Sequence, residues 1–166
     1  MAPPEILTKA VEPWANLYSH SKGLETVIMF LHIGGLLLAG GFAVAADRGT
    51  LRALARPAGE RAGHMADLAS IHRWVIGGLV IVALSGLLQF ASDLETFWGS
   101  WIFWSKMAMV AILLVNGLVM QRAEQAVARE GGDASPGWTR LKRAAVVSLV
   151  LWFATTLAGV ALMNLA

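Results

Sequence analysis

Four long apolar runs separated by short polar stretches dominate the pattern of hydrophobic and polar positions along this chain. Each run is close to the roughly 20 residues that an α-helix needs to cross the hydrocarbon core of a bilayer. The runs therefore predict four transmembrane helices, over residues 24–46, 71–91, 101–121 and 144–165. The expected fold class is an all-α, integral membrane four-helix bundle that forms a single domain over residues 1–166.

The composition agrees with a membrane protein and narrows its chemistry. Charged residues make up 14% of the chain, whereas a soluble domain carries about 25%. The chain has no cysteine, which excludes disulfides, thiolate metal sites and covalent c-type haem attachment. A Gly-rich phosphate loop and a Ser–His–Asp set are also missing from the sequence, which disfavours nucleotide-dependent chemistry and hydrolysis.

The basic residues are concentrated in the first and third connections, while the second connection, FASDLETFWGS, has none. By the positive-inside rule the first and third connections face the cytoplasm, which predicts an up-down-up-down topology with both termini outside. The basic residues are thus explained as topology determinants, and nucleic acid is not expected as a partner. They are Arg48, Arg52, Arg56, Arg61, Arg73, Arg122, Arg129, Arg140, Lys142 and Arg143.

The N-terminal segment, residues 1–23, has no apolar core of its own, so a cleavable signal peptide is not expected. Its apolar residues Ile6, Leu7, Val11 and Trp14 recur at helical spacing. The segment is predicted to form a short helix that lies at the membrane interface.

His32 is an ionisable residue inside the first apolar run. Such a side chain costs on the order of 2–3 kcal/mol in hydrocarbon, so it usually has a partner or a function. A neutral imidazole is a ready ligand for haem iron or copper, or a proton carrier. Gly35, Ala39 and Ala43 share its helix face. These small residues suit either a flat macrocycle or a neighbouring helix, and the pattern leaves both open.

His72, at the start of the second span, is either an interfacial histidine or a second ligand. Counted at 1.5 Å per residue, His32 lies about 12 Å and His72 about 28 Å below the outer surface. A difference of about 16 Å disfavours one haem held by both histidines within a protomer. If both are ligands, they serve two sites or meet across a dimer.

The third span carries a stripe of residues within an arc of about 80°: Lys106, Met109, Leu113, Asn116 and Met120. Lysine and asparagine are costly against lipid, so the stripe is predicted to face the bundle interior or a wet cavity. Met109 lies near the level of His32, and His–Met ligation suits haem or copper. Simple packing is the favoured explanation for the methionines, with Asn116 bonding a neighbouring helix and Lys106 reaching the outer surface.

Asp47 and Arg48 follow the first apolar run directly. Adjacent opposite charges at a helix end usually form a solvated ion pair that anchors the membrane boundary. This is the interpretation that the sequence favours for both residues.

Three short motifs resemble a known superfamily: F-L-H-I-G-G around His32, I-H-R-W around His72 and W-I-F-W-S-K-M around Lys106. The chain resembles small four-helix bacterial membrane proteins that include the HemJ-type protoporphyrinogen oxidases, the membrane domain of CopD copper-resistance proteins and b-type cytochromes. The resemblance covers residues 24–165. It implies haem binding or catalysis at His32 and Lys106, and a location in the bacterial inner membrane. The termini that the positive-inside rule places outside are then periplasmic.

The leading hypothesis is a b-type haem protein in membrane electron transfer, with a quinone as a candidate partner. His32 is then an axial ligand, Met109 a candidate ligand, His72 part of a second site, and Lys106 a partner for a haem propionate. One alternative is a cofactor-free accessory subunit of a larger membrane complex, in which His32 bonds a neighbouring helix. A third hypothesis is CopD-like copper transport. A homodimer is compatible with each of these hypotheses.

Overall fold

The computed structural model describes residues 2–55, 62–130 and 136–165, with side chains in 2–55, 70–127, 129 and 137–165. These residues form helices without any strand, so the all-α expectation is confirmed. The helices are α1 (Glu5–His20), α2 (Lys22–Leu54), α3 (Ala62–Ser92), α4 (Leu94–Gly99), α5 (Trp101–Glu130) and α6 (Pro136–Leu165).

Four of these helices are long and apolar enough to cross a membrane. The candidate spans are Lys22–Leu54, Ser70–Ser92, Trp101–Val127 and Gly137–Leu165. Large apolar side chains such as Leu37 are exposed on their outer surfaces. Exposed apolar surface on this scale is stable against lipid and not against water, so the chain is a membrane protein in contact with the bilayer.

The long helices extend beyond the apolar runs from which they were predicted. The first run ends near residue 46, yet α2 continues through Arg48 and Arg52 to Leu54. The apolar pattern marks only the part of a helix that lies in hydrocarbon, because the hydrogen-bonded backbone continues readily into polar residues. Arg56 and Arg61 of the first connection lie outside the described residues.

The N-terminal segment forms the expected helix, α1, which begins after Pro4. The Trp14 indole Nε1 donates a hydrogen bond to the Leu88 carbonyl on α3 at 2.8 Å. Ile6, expected on the apolar side, is exposed. The α1 helix is therefore attached to the membrane-spanning helices through Trp14.

Helices α2 and α3 form one closely packed pair, and their contact depends on glycine. A Cβ atom on Gly78 would lie 2.6 Å from the Ala39 nitrogen, and one on Gly35 would lie 3.1 Å from the Gly78 carbonyl oxygen. Side chains of any size would hold these backbones apart. Small residues allow such close approach between helices in lipid, where the hydrophobic effect does not drive their association.

Helices α5 and α6 form the other pair, and α2 packs on α6 to join the two pairs. The Asn116 side chain donates a hydrogen bond from Nδ2 to the Ala144 carbonyl at 2.9 Å. Ala39, Leu113 and Trp152 form a buried cluster where α2, α5 and α6 meet. These contacts place polar residues of α2, α3, α5 and α6 on the inside of the bundle.

Candidate functional site

The first group of polar side chains, here called the His32 site, consists of His32 on α2, Ser85 on α3 and Lys106 on α5. His32 Nδ1 lies 3.0 Å from Ser85 Oγ. The Ser85 hydroxyl, only 3% exposed, donates its proton to the Ile81 carbonyl at 2.6 Å. A hydroxyl has one proton to give, so His32 Nδ1–H is the donor to Ser85. In this neutral tautomer the other ring nitrogen, Nε2, carries the lone pair.

Gly86 on α3 and Gly159 on α6 leave space for the side chains of His32 and Lys106. A Cβ atom on Gly86 would lie 3.2 Å from His32 Cε1, so α3 holds the imidazole ring closely. A Cβ atom on Gly159 would lie 3.5 Å from Lys106 Nζ, which places the ammonium against α6. The Lys106 side chain is half-buried on the inward side of α5.

The small-residue face next to His32 contacts a neighbouring helix. Gly35 packs against α3, and Ala39 is completely buried there. Ala43 lines a cavity further along the bundle. The sequence left two interpretations of this face open, contact with a macrocycle or contact with a helix. The structure supports contact with a helix, because α3 packs on the Gly35 and Ala39 surface.

The stripe on α5 faces the bundle interior, as predicted. Leu113, Asn116 and Met120 are buried, and Met109 and Lys106 are half-buried. Asn116 bonds α6, in agreement with the packing interpretation of this residue. The stripe therefore extends from the His32 site at one end to the cavity at the other.

His72 lies far from His32. Its Nε2 is 3.8 Å from Glu124 Oε2 on α5. Along α3, His72 precedes Ser85 by 13 residues, which is about 20 Å of helix. The structure therefore does not bring the two histidines to one metal or haem, in line with the depth estimate.

Asp47 is the residue that the sequence interpretation placed wrongly. The carboxylate is 1% exposed and accepts a hydrogen bond from the Ser148 side chain on α6. Arg48 is exposed on another side of the helix. Consecutive residues diverge by about 100° around a helix, so Asp47 continues the inward face of Ala39 and Ala43. The expected solvated ion pair does not form, because the two side chains point apart.

Asp47 lies at the polar end of a cavity of about 290 Å³, here called the Asp47 cavity, between α3 and α5. Trp152 and leucines of α3 and α5 line the rest of it. Asp47 Oδ2 and Glu124 Oε1 are buried there without a hydrogen-bond partner. The polar residues that line this end are Asp47, His72, Gln121, Glu124 and Ser148.

Sequence reasoning missed Glu124 because the predicted third span ended at residue 121. The signal was its position: Glu124 falls four residues after Met120 and so continues the inward stripe. Among the side chains that the structure describes, no three His, Asp or Glu residues are grouped to hold a metal ion.

Comparisons of the chain with protein-family models, with curated proteins and with solved structures give no match. The resemblance to the CopD and HemJ superfamily stays a prediction.

Proposed function

We propose that this chain is an integral membrane electron-transfer protein that binds haem b through His32 and exchanges electrons with a quinone. The observation that carries the proposal is the hydrogen bond from His32 Nδ1–H to Ser85. A histidine that binds a metal through one nitrogen usually donates its other ring N–H to a fixed acceptor. Ser85 is such an acceptor, and it leaves Nε2 free to bind iron.

The residue types around His32 suit the chemistry of haem, which would have to lie on a side of the imidazole other than the face that α3 covers. His32 Nε2 would supply a nitrogen ligand to the haem iron, and Met109, half-buried one turn from Lys106, is a further candidate ligand. The Lys106 ammonium would offset the charge of a propionate. Haem, when bound, supplies one-electron chemistry, while Ser85 fixes the tautomer and orientation of the imidazole.

His72 fits haem less well than His32 does. Its Nε2 faces the Glu124 carboxylate, and Asp47 lines the same cavity. Two acidic side chains repel the propionates of haem. We therefore assign one haem ligand to His32 and assign His72 to the Asp47 cavity.

The proposed location is the inner membrane of a bacterium, with an up-down-up-down topology and periplasmic termini. Contacts that run in opposite directions along neighbouring helices support this topology: Gly35 meets Gly78, and His32 meets Gly86. The clustering of basic residues in the first and third connections supports the orientation.

A second candidate function is a cofactor-free accessory subunit of a larger membrane complex. One observation favours it, since the His32–Ser85 hydrogen bond also fastens α2 to α3 beside the Gly35–Gly78 contact. In that case the histidine is a structural residue. Copper transport gains no comparable support from a ligand group among the described side chains.

An absorption spectrum separates these functions. The protein is expressed with adequate haem supply, purified, and measured in its oxidised and reduced forms. A Soret band whose position shifts on reduction is the expected result. A stable assembly with partner proteins that carries no pigment of its own contradicts the haem proposal and supports the accessory subunit.

A further inference from the structure

The Asp47 cavity is separate from the proposed haem ligand. His72, which lines it, is about 20 Å along α3 from the serine that bonds His32. The cavity brings together a buried carboxylate from α2, a partly buried one from α5 and a histidine from α3. Residues from three helices converge on one space here, so the cavity can be considered as a binding site in its own right.

Two carboxylate oxygens at the polar end of the cavity have no hydrogen-bond donor. Asp47 is 1% exposed, and its Oδ2 has no partner, although Ser148 donates to the carboxylate. Glu124 Oε1 is likewise buried without a partner. A buried acceptor that has lost its water is stabilised only when a donor reaches it. A ligand for this end must therefore bring hydrogen-bond donors.

The rest of the cavity is apolar and opens toward lipid. Ile76 on α3 and Leu114 and Leu118 on α5 line it, and each of these side chains is at least 50% exposed on the membrane-facing surface. Trp152 and Leu113 close its inner wall. A ligand that enters between α3 and α5 thus arrives from the bilayer, with an apolar body and a polar head.

We propose that the Asp47 cavity binds the head group of a quinol, the reduced form of a membrane quinone. A quinol carries hydroxyl donors on an apolar ring, which suits a cavity that has unpartnered carboxylate oxygens at one end and apolar walls elsewhere. The oxidised quinone carries only carbonyl oxygens at these positions. They are hydrogen-bond acceptors, so they cannot bond to the carboxylate oxygens and are repelled by them. The inference rests on the proposed function, which names a quinone as electron partner, and it adds the site and the redox form that is bound.

Equilibrium dialysis tests the proposal without any need for haem. The purified protein in lipid nanodiscs is dialysed against a radiolabelled ubiquinol analogue with a decyl side chain, kept reduced, and separately against the oxidised analogue. Empty nanodiscs correct for partition into lipid. The expected result is saturable binding of the quinol that is at least about tenfold tighter than binding of the quinone.

Two variants locate the binding in the cavity. Asp47→Asn removes a charged acceptor with little change of shape, and we expect about tenfold weaker quinol binding. Gly117→Leu fills the cavity from α5, where a Cβ atom meets nothing within 4 Å, so the helix tolerates it and binding is lost. Gly41→Leu on α2 is the matched control, since its Cβ also meets nothing within 4 Å and the residue does not line the cavity.

Binding no greater than that of empty nanodiscs overturns the proposal, and so does quinol binding that survives Gly117→Leu. If Asp47→Asn does not fold, as judged by circular dichroism and elution profile, the Gly117→Leu result alone decides. Quinol binding without a Soret band would contradict the haem proposal and support the quinol site. A Soret band without quinol binding would support the haem proposal and contradict the quinol site.

Discussion

A Cβ atom on Gly78 of α3 would lie only 2.6 Å from the backbone nitrogen of Ala39 on α2. The two helices meet through their backbones at this point, and the His32–Ser85 hydrogen bond lies about two turns away along α3. The position of the His32 ring relative to Ser85 therefore depends on how closely α2 and α3 approach.

The first prediction follows from this contact. Gly78→Ala forces the backbones of α2 and α3 apart, and overpacking of this kind costs about 1–3 kcal/mol. Thermal unfolding in detergent, followed by circular dichroism, measures the loss. Gly77→Ala is the control, because a Cβ atom on Gly77 meets nothing within 4 Å. Equal melting temperatures for the two variants would show that α2 and α3 do not touch here.

The second prediction concerns the hydrogen bond between α5 and α6. Asn116→Leu leaves the Ala144 carbonyl without the side-chain donor that the structure gives it. Such bonds between membrane helices are worth about 0.6–2 kcal/mol, so unfolding is expected to become easier by that amount. Asn164→Leu serves for comparison, since the exposed Asn164 bonds only a carbonyl of its own helix. A larger loss of stability for Asn164→Leu than for Asn116→Leu would contradict this role of Asn116.

The third prediction tests the placement of Asp47. The chain has no cysteine, so a single introduced cysteine reports on one position. Arg48→Cys is expected to react with a water-soluble maleimide about tenfold faster than Asp47→Cys, because thiol reactivity requires access. Both variants are labelled in detergent and analysed by mass. Similar labelling rates at the two positions would contradict the burial of Asp47 and support a solvated Asp47–Arg48 ion pair.

The fourth prediction tests membrane orientation. Glu95 on α4 and Arg52 near the end of α2 are both exposed. In intact cells with a permeable outer membrane, an impermeant maleimide should label Glu95→Cys, and it should label Arg52→Cys only after the inner membrane is broken. The positive-inside rule gives this order. The opposite order would invert the proposed topology.

The helical class and the inward stripe of α5 could be predicted from the sequence because both follow from periodicity. Exposure of the Asn116 and Lys106 side chains to lipid is unfavourable in any arrangement of the helices. The sequence of α5 alone therefore predicts that both side chains face the bundle interior. The sequence places Asp47 in solvent because an adjacent pair of opposite charges, Asp47 and Arg48, is typical of a helix end. In the structure α2 continues to Leu54, so Asp47 lies within the helix and faces inward.

The partners of His32 and Asp47 could not be predicted from the sequence. Ser85 is one of many small polar residues in apolar runs, and its hydrogen bond to His32 depends on the register between α2 and α3. The Asp47 cavity needs four helices to be positioned together before its lining is defined. No pattern within one helix carries that information.

The central claim is that His32 holds haem b, and the most direct measurement compares absorption spectra of three purified proteins. The unchanged protein and His72→Ala are expected to show the same Soret band and the same shift on reduction. His32→Ala is expected to lose the band, because the nitrogen that would bind the haem iron is removed. A pigment that survives in His32→Ala, or an unchanged protein that carries none despite adequate haem supply, would contradict the account.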